Sequence, residues 1–360
     1  MKNLLAVIVV SLLIFTSCKN DDPIIEPIPE TKNLEVTVGG PSQPNQVFID
    51  LSTGNQTLVD KYSWNLAFSN GNEYKVHLNP AVGTLAARFE TADIASITSA
   101  DVVDLRSKFG MDIIFGTLVS GEPAEWLEET TAWVDSPDGG ISSTAISEIQ
   151  AFGDANYVYV INPGNDANGN PRNWYKIRVT YSTVGKYQLE YALLDDENVK
   201  TANIFSDGTH NFTFFSLSQG NVVDVEPAKD SWDIAFTTWT ELQNFGAVIP
   251  YLFSDYVIHN REKVLVAEFV ITDGSDLVQA YDNFSKTDAL ALSFSSQINT
   301  IASGWRSVAS PTPGSVTAVK SDRFYVVQDG AGTIFKLAFT KMVNETGERG
   351  FPAIQFTELK

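Results

Sequence analysis

One short sequence occurs twice in this chain, and it limits the possible folds more than any other feature. Ser231–Phe236 reads Ser-Trp-Asp-Ile-Ala-Phe, and Ser63–Phe68 reads Ser-Trp-Asn-Leu-Ala-Phe. In each copy the Trp, the aliphatic residue and the Phe occupy alternate positions, so a β-strand would place all three on one face. A buried Trp is a large core anchor. The repeat therefore predicts two equivalent core strands rather than two catalytic loops.

The segments around the two copies also match, and they follow the same order. Val47–Asn55 and Phe214–Asn221 are each a predicted strand that runs into a Gly-Asn turn before its Trp strand. The spacing between matched segments changes little, and the changes fall in loops, where insertions cost little. We therefore predict two tandem antiparallel β-rich domains of similar topology, residues 34–195 and 208–360. Further matched segments are Gly83–Glu90 with Lys263–Val270, Trp133 with Trp305, Tyr157–Val160 with Phe324–Val327, and Trp174–Val179 with Ile334–Phe339.

The predicted fold class is all-β with minor short helices. The strands are rich in aromatic and β-branched residues and are separated by frequent turn signals, which favours antiparallel sheets over βαβ units. The first strand is expected at Leu34–Val38 and short helices at Val102–Phe109 and Leu277–Phe284. Gly164–Asn170 lacks the spaced acidic ligands of a calcium loop and predicts a wide hairpin turn.

The N-terminus has the features of an exported lipoprotein. Lys2 precedes the apolar run Leu4–Phe15, which is too short to span a bilayer and suits a signal peptide at residues 1–17. The sequence Phe-Thr-Ser-Cys that ends at Cys18 resembles a bacterial lipobox. Cys18 is the only cysteine, so no intramolecular disulfide is possible. We predict that Cys18 carries the lipid, a fatty acid such as palmitate.

Residues 18–33 are predicted to be the lipidated cysteine followed by a disordered tether. They hold few large apolar residues and several prolines. Asp21 and Asp22 resemble the acidic signal that directs some lipoproteins of Gram-negative bacteria to the cell surface. The expected location is the outer membrane, with exposure at the cell surface and membrane contact through the lipid anchor only.

Charge and motifs argue against several functions. The formal net charge of −20 would repel nucleic acid. The sequence has no phosphate-binding glycine motif, no His-Glu-x-x-His pattern and no nucleophile elbow. Its three histidines are far apart, and its single cysteine is assigned to the lipid. We therefore expect that the protein is not an enzyme.

The second half resembles the HmuY-like family of haem-binding outer-membrane lipoproteins. The resemblance rests on Ser218–Asn221, Trp232–Phe236, Arg323–Val327, Phe335–Leu337 and Gly347–Phe356. It covers roughly Phe212 to the C-terminus. The first half shares only the order of segments described above, which makes it a degenerate second copy.

The resemblance implies haem as cofactor, bound through axial His or Met side chains and passed to an outer-membrane transporter for iron acquisition. The family often has a His soon after the Trp strand, but Thr237, Thr238 and Trp239 stand there in this chain. Imidazole and thioether can both bind haem iron, so the nearest substitutes are His259 and Met342. The remaining site candidates are Arg261 and Lys263 for the propionates and the aromatic residues Trp239, Tyr251 and Tyr256 for the pocket wall.

The expected function is therefore binding of haem or a related porphyrin and its transfer to a transporter. The alternative is a structural or adhesive lipoprotein that binds glycan or protein without haem, through exposed aromatic residues.

Overall fold

The computed structural model describes residues 30–121, 124–151, 156–309 and 315–360. The predicted signal peptide, Cys18 and the tether as far as residue 29 lie outside the described residues.

The described residues form short strands joined by turns, with a few short helices. The strands of the first half are β1 (Thr31–Glu35), β2 (Asn45–Ile49), β3 (Gln56–Asp60), β4 (Leu66–Ser69), β5 (Val76–Leu78), β6 (Leu85–Phe89), β7 (Val158–Asn162), β8 (Tyr175–Tyr181) and β9 (Tyr187–Leu193). Its helices are α1 (Val103–Arg106) and α2 (Met111–Ser120), with 3-10 helices at Pro80–Val82, Ile94–Ser96 and Glu125–Trp133.

The second half repeats this pattern with longer strands. They are β10 (Lys200–Ile204), β11 (Phe212–Ser216), β12 (Asn221–Val223), β13 (Ile234–Asn244), β14 (Val248–His259), β15 (Leu265–Val270), β16 (Arg306–Ser307), β17 (Ala318–Val319), β18 (Arg323–Gln328), β19 (Ile334–Val343) and β20 (Arg349–Glu358). Its helices are α3 (Leu277–Asn283) and α4 (Lys286–Leu290).

The strands form four main antiparallel sheets, which confirms the all-β class with short helices. Sheet I has the order β1, β20, β19, β18, β15, and sheet II has the order β10, β9, β8, β7, β6. Sheet III has the order β14, β13, β2, β3, and sheet IV has the order β5, β4, β11, β12. Sheets I and II have equivalent strand orders, and so do sheets III and IV. The duplication seen in the sequence is therefore repeated in the topology.

The two halves exchange strands across the predicted boundary. Ile49 of β2 pairs with Ile234 of β13, and Phe215 of β11 pairs with Leu66 of β4. In addition, β1 at the start of the chain extends sheet I beside β20. Residues 34–195 and 208–360 are thus joined by backbone hydrogen bonds in three sheets. A sequence repeat shows that two strands are alike, but it does not show which copy each one pairs with.

The end of the predicted tether needs correction. Thr31, Lys32 and Asn33 belong to β1 and pair with β20, so the first strand begins earlier than Leu34 and ends at Glu35. Exposed and half-buried positions alternate along β1. An edge strand of this kind is held by backbone pairing and needs little apolar burial, so its polar sequence resembled a tether.

Hydrophobic cores fill the spaces between neighbouring sheets. Val47 and Ile49 join residues of sheet I in one core, whereas Phe48 between them lies in the core shared by sheets III and IV. This alternation follows from the pleat of β2. Leu66 and Phe68 pack in the equivalent core with sheet II. Sheets III and IV therefore lie between sheets I and II, and the core between them is the seam of the two halves.

The orientation predicted for the two Trp residues is wrong, although both are buried. Trp64 and Trp232 pack in the seam core, on the opposite side from the Ile234 and Phe236 side chains that pack with sheet I. The reason is that β4 and β13 begin two residues after their Trp, at Leu66 and Ile234, so strand alternation does not extend to the indoles. The small residues Ala67 and Ala235 face the seam instead.

Candidate functional site

A cavity of about 90 Å³ lies in the seam between sheets III and IV. Both halves of the chain line it, so it exists only because the halves pack together. Six aromatic side chains form much of its wall: Phe48, Trp64, Phe212, Phe214, Trp232 and Trp239. A cavity with apolar walls and a few polar groups is the usual form of a small-molecule site.

The two repeated Trp residues occupy equivalent places in this wall. Trp64 makes an edge-to-face contact with Phe214 at 4.9 Å between ring centroids, and Trp232 makes the same contact with Phe48 at 5.0 Å. The hydrogen bonding of the two indoles differs. The indole Nε1 of Trp64 donates to Oε1 of Gln46 at 2.9 Å, whereas strand pairing places Phe212 at the equivalent position beside Trp232. The Nε1 of Trp232 is buried without a hydrogen-bond partner.

His77 contributes a second unpartnered atom. It lies on β5 opposite Ala67, where the other half has Ile258 opposite Ala235. Its Nδ1 is 3.5 Å from Oδ2 of Asp135, while its Nε2 has no partner. Burial lowers the pKa of His77, although Asp135 acts against this shift. The ring is therefore neutral near pH 7, with its proton on the Nδ1 that faces the carboxylate and a free acceptor at Nε2.

Asp135 is itself held in place by the backbone. Its Oδ2 accepts from the Leu78 N–H at 2.9 Å, and its Oδ1 accepts from the Ala145 N–H at 2.9 Å. The carboxylate thus fixes the orientation of the His77 ring from its Nδ1 side.

Unpartnered polar atoms concentrate at this cavity. Within the described residues, four buried side-chain atoms lack a hydrogen-bond partner: Nε2 of His77, Oγ1 of Thr84, Nε of Arg172 and Nε1 of Trp232. Three of them belong to residues that line the cavity. Buried polar groups in folded proteins are nearly always paired. Three of the four residues therefore cluster in the wall of one cavity, with the unpartnered atoms themselves fully buried.

An acid and a base also line the cavity. Oε1 of Glu226 accepts from the Phe212 N–H at 2.9 Å, and burial raises the pKa of Glu226 to about 7. The guanidinium of Arg261 lies 4.3 Å from the centroid of the Phe212 ring and donates from Nη2 to Gly139 O at 2.7 Å. Both groups therefore already have partners within the chain.

The segment 134–146 covers the cavity, and we call it the rim segment. Val134, Asp135, Ser136 and Gly139 of this segment line the cavity directly. The segment contains no strand and is held to the sheets by side-chain donors. These are Nη2 of Arg261 to Gly139 O, Nε1 of Trp239 to Pro137 O at 3.2 Å, and Nζ of Lys75 to Gly140 O at 3.1 Å.

Gly140 allows the rim segment to approach the His77 ring. Its φ is +73°, and a Cβ at this position would lie 2.6 Å from Cε1 and Nδ1 of His77. Any side chain here would therefore displace either the imidazole or the rim segment.

The two predicted axial ligands lie in different cores. His259 is in the cavity wall, but its Nδ1 lies 3.0 Å from Asn260 O and its Nε2 lies 2.7 Å from Gln297 O. Burial lowers the pKa of His259. Each ring nitrogen thus faces a carbonyl oxygen. Met342 is buried between sheets I and III, in the core that contains Trp305 and Phe339. The structure does not bring His259 and Met342 together.

Among the other predicted site residues, Arg261 and Trp239 line the cavity. Tyr256 is not part of the cavity lining and instead stacks on Trp239, with 6.0 Å between ring centroids. Lys263 lies away from the cavity, with its side chain 70% exposed and its ammonium 3.5 Å from the Glu262 carboxylate. Tyr251 lies near the tip of the β13–β14 hairpin, in contact with Phe115 and Phe245.

Four residues of the cavity wall were not among the site residues predicted from the sequence: His77, Thr84, Trp232 and Glu226. The sequence did contain a signal for Trp232. Alignment of the two halves places Phe212 where the first half has Gln46, so the residue that pairs with the Trp64 indole has no polar equivalent in the second half. For His77 the signal was a lone histidine in place of an isoleucine. Neither signal could be interpreted without knowing that strands from opposite halves face each other across the seam.

The described residues contain no group of three or more His, Cys, Asp or Glu side chains placed to hold a metal ion. In the same part of the chain, none of the helices has the length and apolar character that a bilayer crossing requires.

The fold and cavity define an all-β protein with an aromatic-lined cavity at the seam of two pseudo-equivalent halves. Residues 208–356 match the family model described as HmuY protein, which confirms the resemblance for that part of the chain. No curated protein matches the sequence.

Two solved structures are similar to this chain at low identity. Apo PinO from Porphyromonas gingivitis is 10% identical, with 92% of this chain and 98% of that chain covered and a TM-score of 0.27. The apo HmuY analogue from Tannerella forsythia is 10% identical, with 94% of this chain and 100% of that chain covered and a TM-score of 0.23.

Proposed function

We propose that this chain is a surface lipoprotein of the outer membrane that binds haem or a related porphyrin and transfers it to a transporter. The observation that carries the proposal is the HmuY family match over residues 208–356. The protein would act by binding and release, with no catalytic step. Lipidation of Cys18 would anchor it, and the residues after Cys18 would let the folded part reach a transporter.

The seam supplies part of the chemistry that haem requires. Nε2 of His77 is a neutral imidazole acceptor that could bind iron. The Arg261 guanidinium could meet a propionate. The Trp and Phe side chains of the cavity wall would pack against the ring.

The seam cavity would have to open before a porphyrin could enter it. Pockets that enclose drug-sized ligands have volumes of about 300–1,000 Å³. The seam cavity of about 90 Å³ is much smaller, so a porphyrin could enter only if the rim segment moved away. The rim segment is suited to such a movement, because it makes no strand pairing with the sheets.

A Soret-band titration of the soluble chain after Cys18 tests the proposal. We expect ferric or ferrous haem to give a shifted, saturable Soret band, and His77→Ala to weaken haem binding by roughly tenfold or more. His259→Ala and Met342→Ala serve as matched controls. Both should keep the position of the band, because one imidazole faces two carbonyls and the thioether lies in another core. Absence of any shift in the folded wild-type chain would reject haem as the ligand.

One observation favours the second candidate, a structural or adhesive lipoprotein that binds glycan or protein. Phe115 and Phe245 are 38% and 48% exposed, and they contact Tyr251 at the tip of the β13–β14 hairpin. Exposed aromatic groups of this kind are common in interaction surfaces. Alanine substitutions at Phe115 and Phe245 would reduce glycan or protein binding and leave a haem titration unchanged.

A further inference from the structure

We propose that Arg261 and Lys75 select the ligand of the seam by its carboxylates. The same two cations hold the rim segment closed until a ligand carboxylate takes the place of the rim carbonyls. This inference rests on the proposed function, because it takes the seam as the porphyrin site. It adds which residues keep that site shut and which group of the ligand opens it.

Two of the three side-chain donors that hold the rim segment are cations. Arg261, which follows β14, donates to Gly139 O at 2.7 Å. Lys75, which precedes β5, donates to Gly140 O at 3.1 Å and to Ile141 O at 3.0 Å. One cation therefore comes from each half of the chain, and both bind the same short stretch of the rim backbone.

These cations hold only neutral oxygens, although the chain has 44 acidic and 24 basic side chains. Within the described residues, the hydrogen bonds of Arg261 and Lys75 all go to backbone carbonyls. A guanidinium has five N–H donors, and that of Arg261 uses one of them. A carboxylate adds Coulomb attraction and can accept two parallel N–H bonds, so it would bind these cations more strongly than a carbonyl does.

The rim segment covers the Arg261 donor that a ligand would need. Gly139 has a φ of +83°, and a Cβ there would lie 2.9 Å from Nη2 of Arg261 and 2.5 Å from Cδ1 of Ile298. The rim backbone is thus packed directly against the guanidinium. A ligand carboxylate and Gly139 O therefore compete for the same Nη2, which couples ligand binding to rim opening.

Opening of the rim would also remove negative charge from beside Arg261. Burial lowers the pKa of Arg261, and four carboxylates act against this shift: Glu226, Glu73, Asp138 and Asp135. Asp138 directly precedes Gly139, so it leaves with the carbonyl. Burial raises the pKa of Glu226 to about 7, so that group is only partly ionised near neutral pH. The open seam would therefore accept an anion more readily than the closed one.

Exchange of the Trp239 indole N–H with deuterium measures rim opening without any ligand, because this proton is bonded to Pro137 O of the rim segment. NMR of the soluble chain after Cys18 follows the exchange. We expect Arg261→Met and Lys75→Met each to speed it by roughly tenfold, because each removes a charged donor from the rim.

Two controls show that the opening is local. Lys263→Met removes an exposed cation away from the cavity and should leave the Trp239 exchange rate unchanged. The Trp305 indole donates to Asp255 O at 3.1 Å in the core with sheet I. It should exchange at the wild-type rate in every variant, which separates rim opening from global unfolding.

A second experiment compares haem with haem dimethyl ester, which keeps the ring and the iron but has no carboxylate. In Soret titrations in the same detergent, we expect the wild type to bind haem at least roughly tenfold more tightly than the ester. The double variant Arg261→Met/Lys75→Met should bind the two within about twofold of each other. Trp239→Phe removes the third, uncharged donor to the rim, and it should keep the wild-type preference.

The outcomes separate this inference from the proposed function. Equal affinity of the wild type for the two porphyrins, or a preference that survives in the double variant, would overturn the inference while haem binding stands. An unchanged Trp239 exchange rate in both single variants would overturn it as well. Binding of neither porphyrin would reject the proposed function, and the carboxylate selection with it.

Discussion

Trp64→Ala and Trp232→Ala are each expected to lower the free energy of unfolding by about 3–5 kcal/mol. Both indoles are buried in the seam, and each makes an edge-to-face contact with a Phe from the opposite half. The two indoles are equivalent in packing, but only Trp64 also donates a hydrogen bond, to Gln46. The loss for Trp64→Ala should therefore exceed the loss for Trp232→Ala by about 1 kcal/mol. Urea denaturation of both variants measures them.

Trp126→Ala is the matched control for these variants. Trp126 is only partly buried and lies outside the seam, in the 3-10 helix Glu125–Trp133. Its loss should be clearly smaller. A large loss for one seam Trp and a loss near that of Trp126→Ala for the other would contradict the equivalence of the two halves.

Asp233→Asn is expected to stabilise the protein above pH 7 and to have little effect near pH 4. Burial, with a further contribution from Asp329 and Asp50, raises the pKa of Asp233 to about 7. An unfolded Asp has a pKa near 3.9, so the folded state binds the extra proton between about pH 4 and pH 7. The stability that this proton provides is full below about pH 4 and is lost as the pH rises to about 7.

The expected gain for Asp233→Asn at pH 8, relative to pH 4, is on the order of 3 kcal/mol. The first half already has Asn65 at this position. Oδ1 of Asn65 accepts from the Leu217 N–H at 2.8 Å, just as Oδ2 of Asp233 accepts from the Leu51 N–H at 2.8 Å. The Asn should therefore keep the hydrogen bond without the charge.

Urea denaturation at pH 4 and pH 8 measures this effect, with the exposed Asp104→Asn as the control. If Asp233→Asn changed stability equally at both pH values, the raised pKa would not be the cause.

The fold class and the duplication could be predicted from the sequence, because both depend on local patterns. Leu277–Phe284 predicted a helix that the structure has as α3 (Leu277–Asn283), and the repeated Trp segments predicted equivalent buried residues. The exchange of strands could not be predicted. β2 has the same local sequence character whether it pairs with β4 or with β13, so only tertiary packing selects the partner.

Only part of the candidate site could be predicted, because the sequence does not show which segments of the two halves meet. Trp239 lies in β13, His259 ends β14 and Arg261 follows it, and all three line the cavity. Met342 was chosen for its thioether, yet its position on β19 places it in the core with sheet I. His77 was passed over as a lone histidine, because its position opposite the second half depends on the exchange.

The two halves complete each other's sheets and form the cavity only together. The most direct test is to express residues 30–195 and 196–360 as separate chains and to measure cooperative urea unfolding and near-UV circular dichroism. We predict that neither chain unfolds cooperatively alone, because sheets III and IV each require strands from both halves. An equimolar mixture should recover the transition and the aromatic signal of the intact protein. A cooperative transition with a native aromatic signal from either chain alone would show that the halves fold independently.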